Sequence, residues 1–356
     1  MLNALTAVLT KAAVIADHRL SYVVMPGSVE GQTLTAMAFG SNQAKPLFVV
    51  KIHRSGQSGS MANEETFLLR QLALAPPAIS AAVPRLLWQG VVLDLPVLVQ
   101  SVLPGQPMST QLDGNGLPDL AVAERQLSWA KTWLIDLYRW SQHPRNARGQ
   151  NMVTALQTLM DEFAQTFALS DPEHARVAQW RADLAQTFAH GPAFALTHGD
   201  FCRHNILVDR LPPPGVMDWT FGQRHGLPWG DLMFFISTYF SQLRRQTGWQ
   251  GFIQGFDLSF FKPTAFARLT RRILREYARA LPIRPEDLPL CFALFLMERA
   301  LWVHRLTTAV EHYHPFPRFG IFMCAELGLP FEKRHEGQMW FQWWRHWVQL
   351  GTPWMQ

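Results

Sequence analysis

Only three cysteines, Cys202, Cys291 and Cys324, occur in the 356 residues, an odd number at wide spacing. That excludes a disulfide framework and suits free thiols in a reducing compartment. Charged residues are also sparse, at 17% against the usual quarter. With 48% of the chain hydrophobic, the disordered class is excluded and a sizeable core is within reach. Apolar stretches such as Val91–Val99 and Leu290–Met297 are too short or too interrupted to span a bilayer. The N-terminus carries no basic region followed by an apolar run and a small-residue cleavage site, so a cytoplasmic protein is expected. There is no run of five or more basic residues and no zinc-finger spacing, and no nucleic-acid partner is expected.

The charge that is present is uneven. The whole chain has 32 basic and 27 acidic residues, and Leu232–Gln356 alone has 15 Lys/Arg against 9 Asp/Glu, a net +6. A solvated helical surface accounts for most such patterns. A surface that attracts anionic partners or acceptors is the alternative.

Strand-like runs and turns alternate through the first third. Ser21–Met25, Thr33–Phe39 and Pro46–Ile52 read as strands, with Pro26-Gly27-Ser28 and Gly40-Ser41-Asn42-Gln43 as turns between them. Asn63–Ala75 has helical spacing of Phe67, Leu68, Leu72 and Leu74, and two more strands, Leu86–Leu93 and Val97–Leu103, follow. Beyond Pro107 the pattern turns helical over Ala121–Ser141, Met152–Phe167, Pro172–Ala189, Asp231–Gln242, Pro263–Ala280 and Asp287–Thr308. One short hairpin, Asn205–Val208 with Val216–Met217, interrupts it. The expectation is an α+β chain of two lobes: an antiparallel-sheet N-lobe over residues 1–105 and a larger helical C-lobe over 106–356. A cleft between lobes is a usual place for a ligand.

The segment Thr197–Trp219, THGDFCRHNILVDRLPPPGVMDW, gathers His198, Asp200, Asn205 and Asp218 around that hairpin. Phosphoryl transfer from a nucleotide needs such a set: one carboxylate to orient an acceptor hydroxyl, and an amide with a second carboxylate to hold Mg²⁺. A lone His-x-Asp is weak evidence. His-Gly-Asp-x4-Asn followed by an apolar-Asp-Trp across a hairpin is specific.

This segment, with Gly226-Leu227-Pro228-Trp229-Gly230-Asp231-Leu232 after it, resembles the aminoglycoside phosphotransferase and choline kinase superfamily, relatives of the protein kinases. The resemblance runs from about Ser21 to about residue 310 and implies a two-lobed protein-kinase-like fold. It implies ATP and Mg²⁺ as cofactors and a small-molecule acceptor bearing a hydroxyl. Asp200 would be the catalytic base or orienting carboxylate, Asn205 and Asp218 the Mg²⁺ ligands, and His198 a brace between the catalytic loop and the backbone near Asp218. Lys51, at the end of Phe48-Val49-Val50-Lys51-Ile52, would neutralise the phosphates and be held by Glu65, with Glu64 as runner-up. The adenine would meet backbone groups at Ser101 and Leu103, although many relatives carry Met-Glu where this chain has Gln100-Ser101, which leaves purine preference open. The phosphate loop would be Pro26–Gln32, which has only Gly27 and Gly31. Gly199 stands where many protein kinases carry an Arg that reads a phosphorylated loop, so switching of that kind is not expected. Members found with polysaccharide or glycolipid biosynthesis raise sugars and lipid-linked sugars as acceptors, by analogy. A catalytically silent nucleotide-binding scaffold and an aminoglycoside-modifying kinase are the alternatives, and a protein kinase ranks below both.

Other candidates read blandly. His304, His312 and His314 with Glu298 and Glu311 fit no familiar metal spacing. Cys202 reads as a filler in the catalytic loop, since phosphoryl transfer needs no thiol. Asp231 reads equally as a helix cap or as a second brace for that loop. Trp340, Trp343, Trp344 and Trp347 recur at helical spacing. Docking on the helical lobe is expected of them in preference to peripheral lipid contact.

Overall fold

A computed structural model describes residues 2–11, 19–25, 33–41, 43–53, 58–110, 119–189, 191–209, 214–239, 256–313 and 336–350. The expected phosphate loop Pro26–Gln32, together with His314 and Cys324, lies outside the described residues. The chain clusters into two compact units, Met1–Thr110 with His198–Gln223, and Gln111–Thr197 with Arg224–Gln356.

The first unit is built on an antiparallel sheet of five strands, β1 (Leu20–Val24), β2 (Thr33–Gly40), β3 (Phe48–His53), β4 (Leu86–Val92) and β5 (Leu95–Ser101). Their spatial order is β1-β2-β3-β5-β4. Period-two alternation splits the sheet into two faces. Leu34, Ala36, Val50, Ile52, Val97 and Val99 bury one of them in a core shared with Leu5 and Leu9 of α1 (Leu2–Lys11). That leaves Lys51, paired in register with Leu98, on the other. Helix α2 (Ser58–Leu72) buries Leu68, Leu69 and Leu72. The expected order of three strands, a helix and two strands is present, with α2 starting five residues before Asn63 and β5 ending at Ser101, two short of Leu103. Helix α1 and the one-turn α3 (Pro77–Ser80) were not expected. A small sheet completes the unit, with β6 (Gln106–Pro107) and the hairpin β8 (Ile206–Val208) and β9 (Gly215–Val216).

The second unit holds the long helices, and side-chain caps set the starts of several of them. Asp119 Oδ1 accepts from the Ala121 amide (2.6 Å) at α4 (Leu120–Ser141), and Asn151 Oδ1 accepts from Thr154 (2.9 Å) at α5 (Met152–Thr166). A Ser170/Glu173 capping box opens α6 (Asp171–Thr187). The pair β7 (Ala195–Thr197) and β10 (Gln223–Gly226) is followed by α7 (Gly230–Tyr239), α8 (Ala265–Ala280), α9 (Leu288–Tyr313) and α10 (Glu336–Leu350). Asp231 is buried in the first turn of α7.

Helix α10 docks inside this unit, as expected. Trp340, Trp343, Trp344 and Trp347 are all buried. Trp343 stacks on Phe256 at 4.3 Å between ring centroids, Trp344 meets Phe163 at 4.9 Å and Trp347 meets Phe292 at 4.5 Å. Arg345 on the same helix donates to Glu173 Oε1 (2.8 Å) and to the Ala168 carbonyl (2.7 Å). Among the described residues no helix is long and apolar enough to cross a membrane.

Glu298 on α9 is a liability of this packing. Burial pushes its carboxyl up to about 7 despite Arg299, and nearby Asp231 adds to the rise. With the folded value above the unfolded one of about 4.5, the unfolded chain releases its proton first, so stability falls as pH rises between the two. Glu298→Gln should therefore be more stable than the parent above about pH 7, by up to about 3 kcal/mol, with the difference fading below about pH 4.5. Urea unfolding across that range checks it; a difference that does not change with pH contradicts it.

Candidate active site

Every residue singled out for chemistry lies in the first unit: Lys51, Glu65, Ser101, Leu103, His198, Asp200, Asn205 and Asp218. Lys51 projects from β3 with only 4% exposure, and its ammonium donates to Glu65 Oε1 (2.6 Å), Asp218 Oδ1 (2.6 Å) and Thr220 Oγ1 (2.8 Å). All three of its protons are thereby used. Burial pulls the Lys51 pKa down, but the carboxylates of Asp218 and Glu65 outweigh it and hold the ammonium above its ordinary value. The partner on α2 is Glu65 and not Glu64. Its carboxylate is wholly buried and accepts a second bond from Gln100 Nε2 (2.8 Å) at Oε1. Thr220 Oγ1 lies 2.7 Å from Asp218 Oδ1 and 3.1 Å from Glu65 Oε2, and its single proton serves one of them at a time.

Two carboxylates around one ammonium leave the cluster with one negative charge. Asp218 is the more accessible of the two, with a side chain 44% exposed, and its backbone holds a left-handed conformation, φ 65° and ψ 69°. Such a conformation costs a non-glycine residue energy and is found where function requires it. Loss of water raises the Asp218 pKa, but Lys51 more than reverses that and keeps the carboxylate ionised well below its usual range.

The loop from His198 to Asn205 is tied down at both ends. His198 Nε2 lies 2.8 Å from the carbonyl of Met217, and its Nδ1 accepts from the Asp200 amide (3.2 Å). These partners fix the neutral tautomer with the proton on Nε2. Burial, despite the Met217 carbonyl, lowers the His198 pKa to about 4, so the ring is uncharged at neutral pH and joins two backbones without titrating. Asn205 Nδ2 donates to the Asp200 backbone carbonyl (2.9 Å) and carboxylate Oδ2 (2.8 Å), and the Met217 amide donates to the Asn205 carbonyl (2.9 Å). Gly199 has φ 76°, and a Cβ there would sit 2.1 Å from the carbonyl oxygen of Phe221. No side chain fits, which gives a steric reason for the missing Arg. Burial and the Asp200 carboxylate push the Cys202 thiol well up, so it stays protonated and is no nucleophile.

The remaining two residues lie at the end of β5. The Ser101 amide donates to the Arg85 carbonyl (2.8 Å), and its Oγ accepts from the Arg85 amide (2.9 Å). Leu103 follows outside the strand. Two members of the cluster, Thr220 and Gln100, carried no role in the sequence reading. Gln100 had a local signal, being a polar residue at a buried position of the apolar run Val97-Leu98-Val99.

The donor set fits Mg²⁺. With Nδ2 of Asn205 and Oδ1 of Asp218 engaged, each side chain has one further oxygen to offer. Two hard oxygen donors beside a net negative charge, completed by phosphate and water oxygens, are what this ion takes in phosphotransferases. Among the described residues no group of three His, Cys, Asp or Glu forms a metal cluster.

The sequence profile of the phosphotransferase enzyme family matches residues 40–268, a span that contains the whole of this cluster. The chain belongs to the phosphotransferase enzyme family. It is a phosphotransferase. Its fold is similar to that of an aminoglycoside 2'-phosphotransferase-IIIa solved as a GDP complex of a point mutant, with 14% identity, coverage of 86% of this chain and 91% of the other, and a TM-score of 0.50. Two further solved structures match. The macrolide 2'-phosphotransferase MphH from Brachybacterium faecium has 18% identity, coverage of 92% and 98%, and a TM-score of 0.49. A choline/ethanolamine kinase family protein from Mesorhizobium loti has 16% identity, coverage of 93% and 97%, and a TM-score of 0.49. None of the curated proteins matches the phosphotransferase in sequence.

Proposed function

We propose that this phosphotransferase takes Mg-ATP and transfers the γ-phosphoryl group to a hydroxyl of a sugar or lipid-linked sugar. The observation that carries the reading is the saturated Lys51 ammonium, held by Glu65 and Thr220 against Asp218. Glu65 keeps the ammonium in place, and on nucleotide binding a phosphate oxygen takes over the bond that Asp218 or Thr220 now accepts. Bound Mg²⁺, held by Asn205 and Asp218, would supply charge neutralisation between the β- and γ-phosphates. Asp200 orients the acceptor. The acceptor oxygen attacks phosphorus, the bond from phosphorus to the β,γ-bridging oxygen breaks, ADP leaves, and the hydroxyl proton passes to the Asp200 carboxylate. Asn205 Nδ2, bonded to that carboxylate, holds it in one rotamer for the purpose. His198 and Gly199 fix the loop, and Ser101 and Leu103 receive the purine.

The acceptor class follows from charge. A polycationic aminoglycoside needs an acidic groove, whereas Leu232–Gln356 carries a net +6, which favours neutral or anionic acceptors. A nucleotide-consumption screen with ATP and GTP across sugars, amino sugars, amino alcohols and aminoglycosides tests this. Turnover with sugars and not with aminoglycosides is expected. Aminoglycosides as the preferred acceptors would refute the acceptor class.

A further inference from the structure

Helix α8 carries five arginines, Arg268, Arg271, Arg272, Arg275 and Arg279, against the single acid Glu276, so this one helix holds nearly all of the chain's formal +5. Its opposite side is spent on the core, with Ala267, Ile273, Leu274, Tyr277 and Ala278 buried. Spacings of three and four residues align the arginines on one face, over about 16 Å of helix at 1.5 Å per residue. Between them runs a groove of about 470 Å³ whose described lining is those five arginines and Glu276. Arg272 is partly neutralised by Glu124 of α4 (2.6 Å), and Arg268 reaches the Pro263 carbonyl (3.4 Å). Solvated faces normally intersperse both signs, whereas here five arginines outnumber the one acid of the helix, Glu276.

We propose that the arginine face of α8 is a docking surface for anionic phospholipid membranes. Guanidinium forks match phosphate geometry, and basic clusters on amphipathic helices are drawn to anionic leaflets. Because the apolar side is buried in the protein's own core, the contact is electrostatic and lies at the headgroups without insertion. Nucleic acid is the competing polyanion, and two observations weigh against it. No aromatic side chain is among the described lining residues to stack a base. The helix is also strapped to α4 by the Arg272–Glu124 and Lys131–Glu276 pairs, so it lies flat on the unit and does not project as a groove-reading helix does. None of its residues is among those that carry the proposed chemistry, although its charge contributes to the net +6 from which the acceptor class was argued.

Vesicle sedimentation of the full chain tests it, comparing phosphatidylcholine alone with phosphatidylcholine containing phosphatidylglycerol. Binding is expected only to the anionic vesicles and should weaken steeply with salt. The variant R271Q/R275Q/R279Q should bind at least about tenfold more weakly, since each basic residue near an anionic surface adds its own increment, and should melt like the parent. The charge-matched control R139Q/R148Q/R176Q should bind like the parent. No binding to anionic vesicles, binding that ignores phosphatidylglycerol, or equal loss in the control would overturn the proposal. Displacement from vesicles by single-stranded nucleic acid at far lower concentration than that of lipid would assign the face to nucleic acid instead. If the triple variant melts early, the salt dependence of the parent and the behaviour of the control still decide.

Discussion

Replacing Asp200 by Ala is expected to lower turnover by more than about a hundredfold while leaving Mg-ATP affinity nearly unchanged, because positioned proton acceptors contribute at least that much. The expectation is specific because of where Asp200 stands. Its carboxylate is bonded to Asn205 and makes no ion pair with Lys51, which is fully engaged by Glu65, Asp218 and Thr220. Removing it leaves the bonds of Lys51 to Glu65, Asp218 and Thr220 intact. The same cannot be said of Lys51→Ala, which strands the wholly buried Glu65 carboxylate and should cost several kcal/mol of stability by leaving a buried charge unpaired. Asp200 is thus the cleaner probe of chemistry. A variant that keeps turnover within about tenfold of the parent would remove it from the mechanism.

Deleting Glu336–Gln356 should have the largest effect on stability. Trp340, Trp343, Trp344 and Trp347 are each at most 2% exposed. A buried large side chain contributes on the order of 1.5–3 kcal/mol, so the four together rival the whole net stability of an ordinary domain, roughly 5–15 kcal/mol. The deletion also exposes Phe163, Phe256 and Phe292, which pack on these indoles. Insoluble protein or a sharply lower melting temperature is expected. A truncated chain that melts within about two degrees of the full one, a shift worth roughly 1 kcal/mol, would show that the helix is dispensable to the fold.

Much of this was legible in the residues because the signals were local. The strands of the first unit follow from alternation between β-branched runs and turns, and the long helices from the helical spacing of their apolar residues. The candidate cluster was legible for a different reason: Asp200, Asn205 and Asp218 fall within one short segment around a hairpin, where sequence distance and spatial distance agree. Thr220 shows the limit. Its hydroxyl joins Glu65, 155 positions away, to Asp218, and nothing in a Thr beside an Asp-Trp pair announces that neighbour. Gln100 reaches Glu65 across 35 positions, and only its polarity in a buried strand hinted at a partner. Helix α1 was overlooked for its brevity, although Leu5 and Leu9 have helical spacing and lie fully buried against the sheet. The arginine face of α8 was visible only as a diffuse positive balance, because a count of charges does not say which side of a helix they share.

The account turns on Asp218 holding a metal-bound nucleotide beside Lys51, and calorimetry of ATP binding with Mg²⁺ and with EDTA tests that directly. Tight binding that requires Mg²⁺, and that Asp218→Ala largely abolishes while Asp200→Ala leaves it in place, is the predicted result. ATP affinity that is the same with and without Mg²⁺ and indifferent to Asp218→Ala would contradict it.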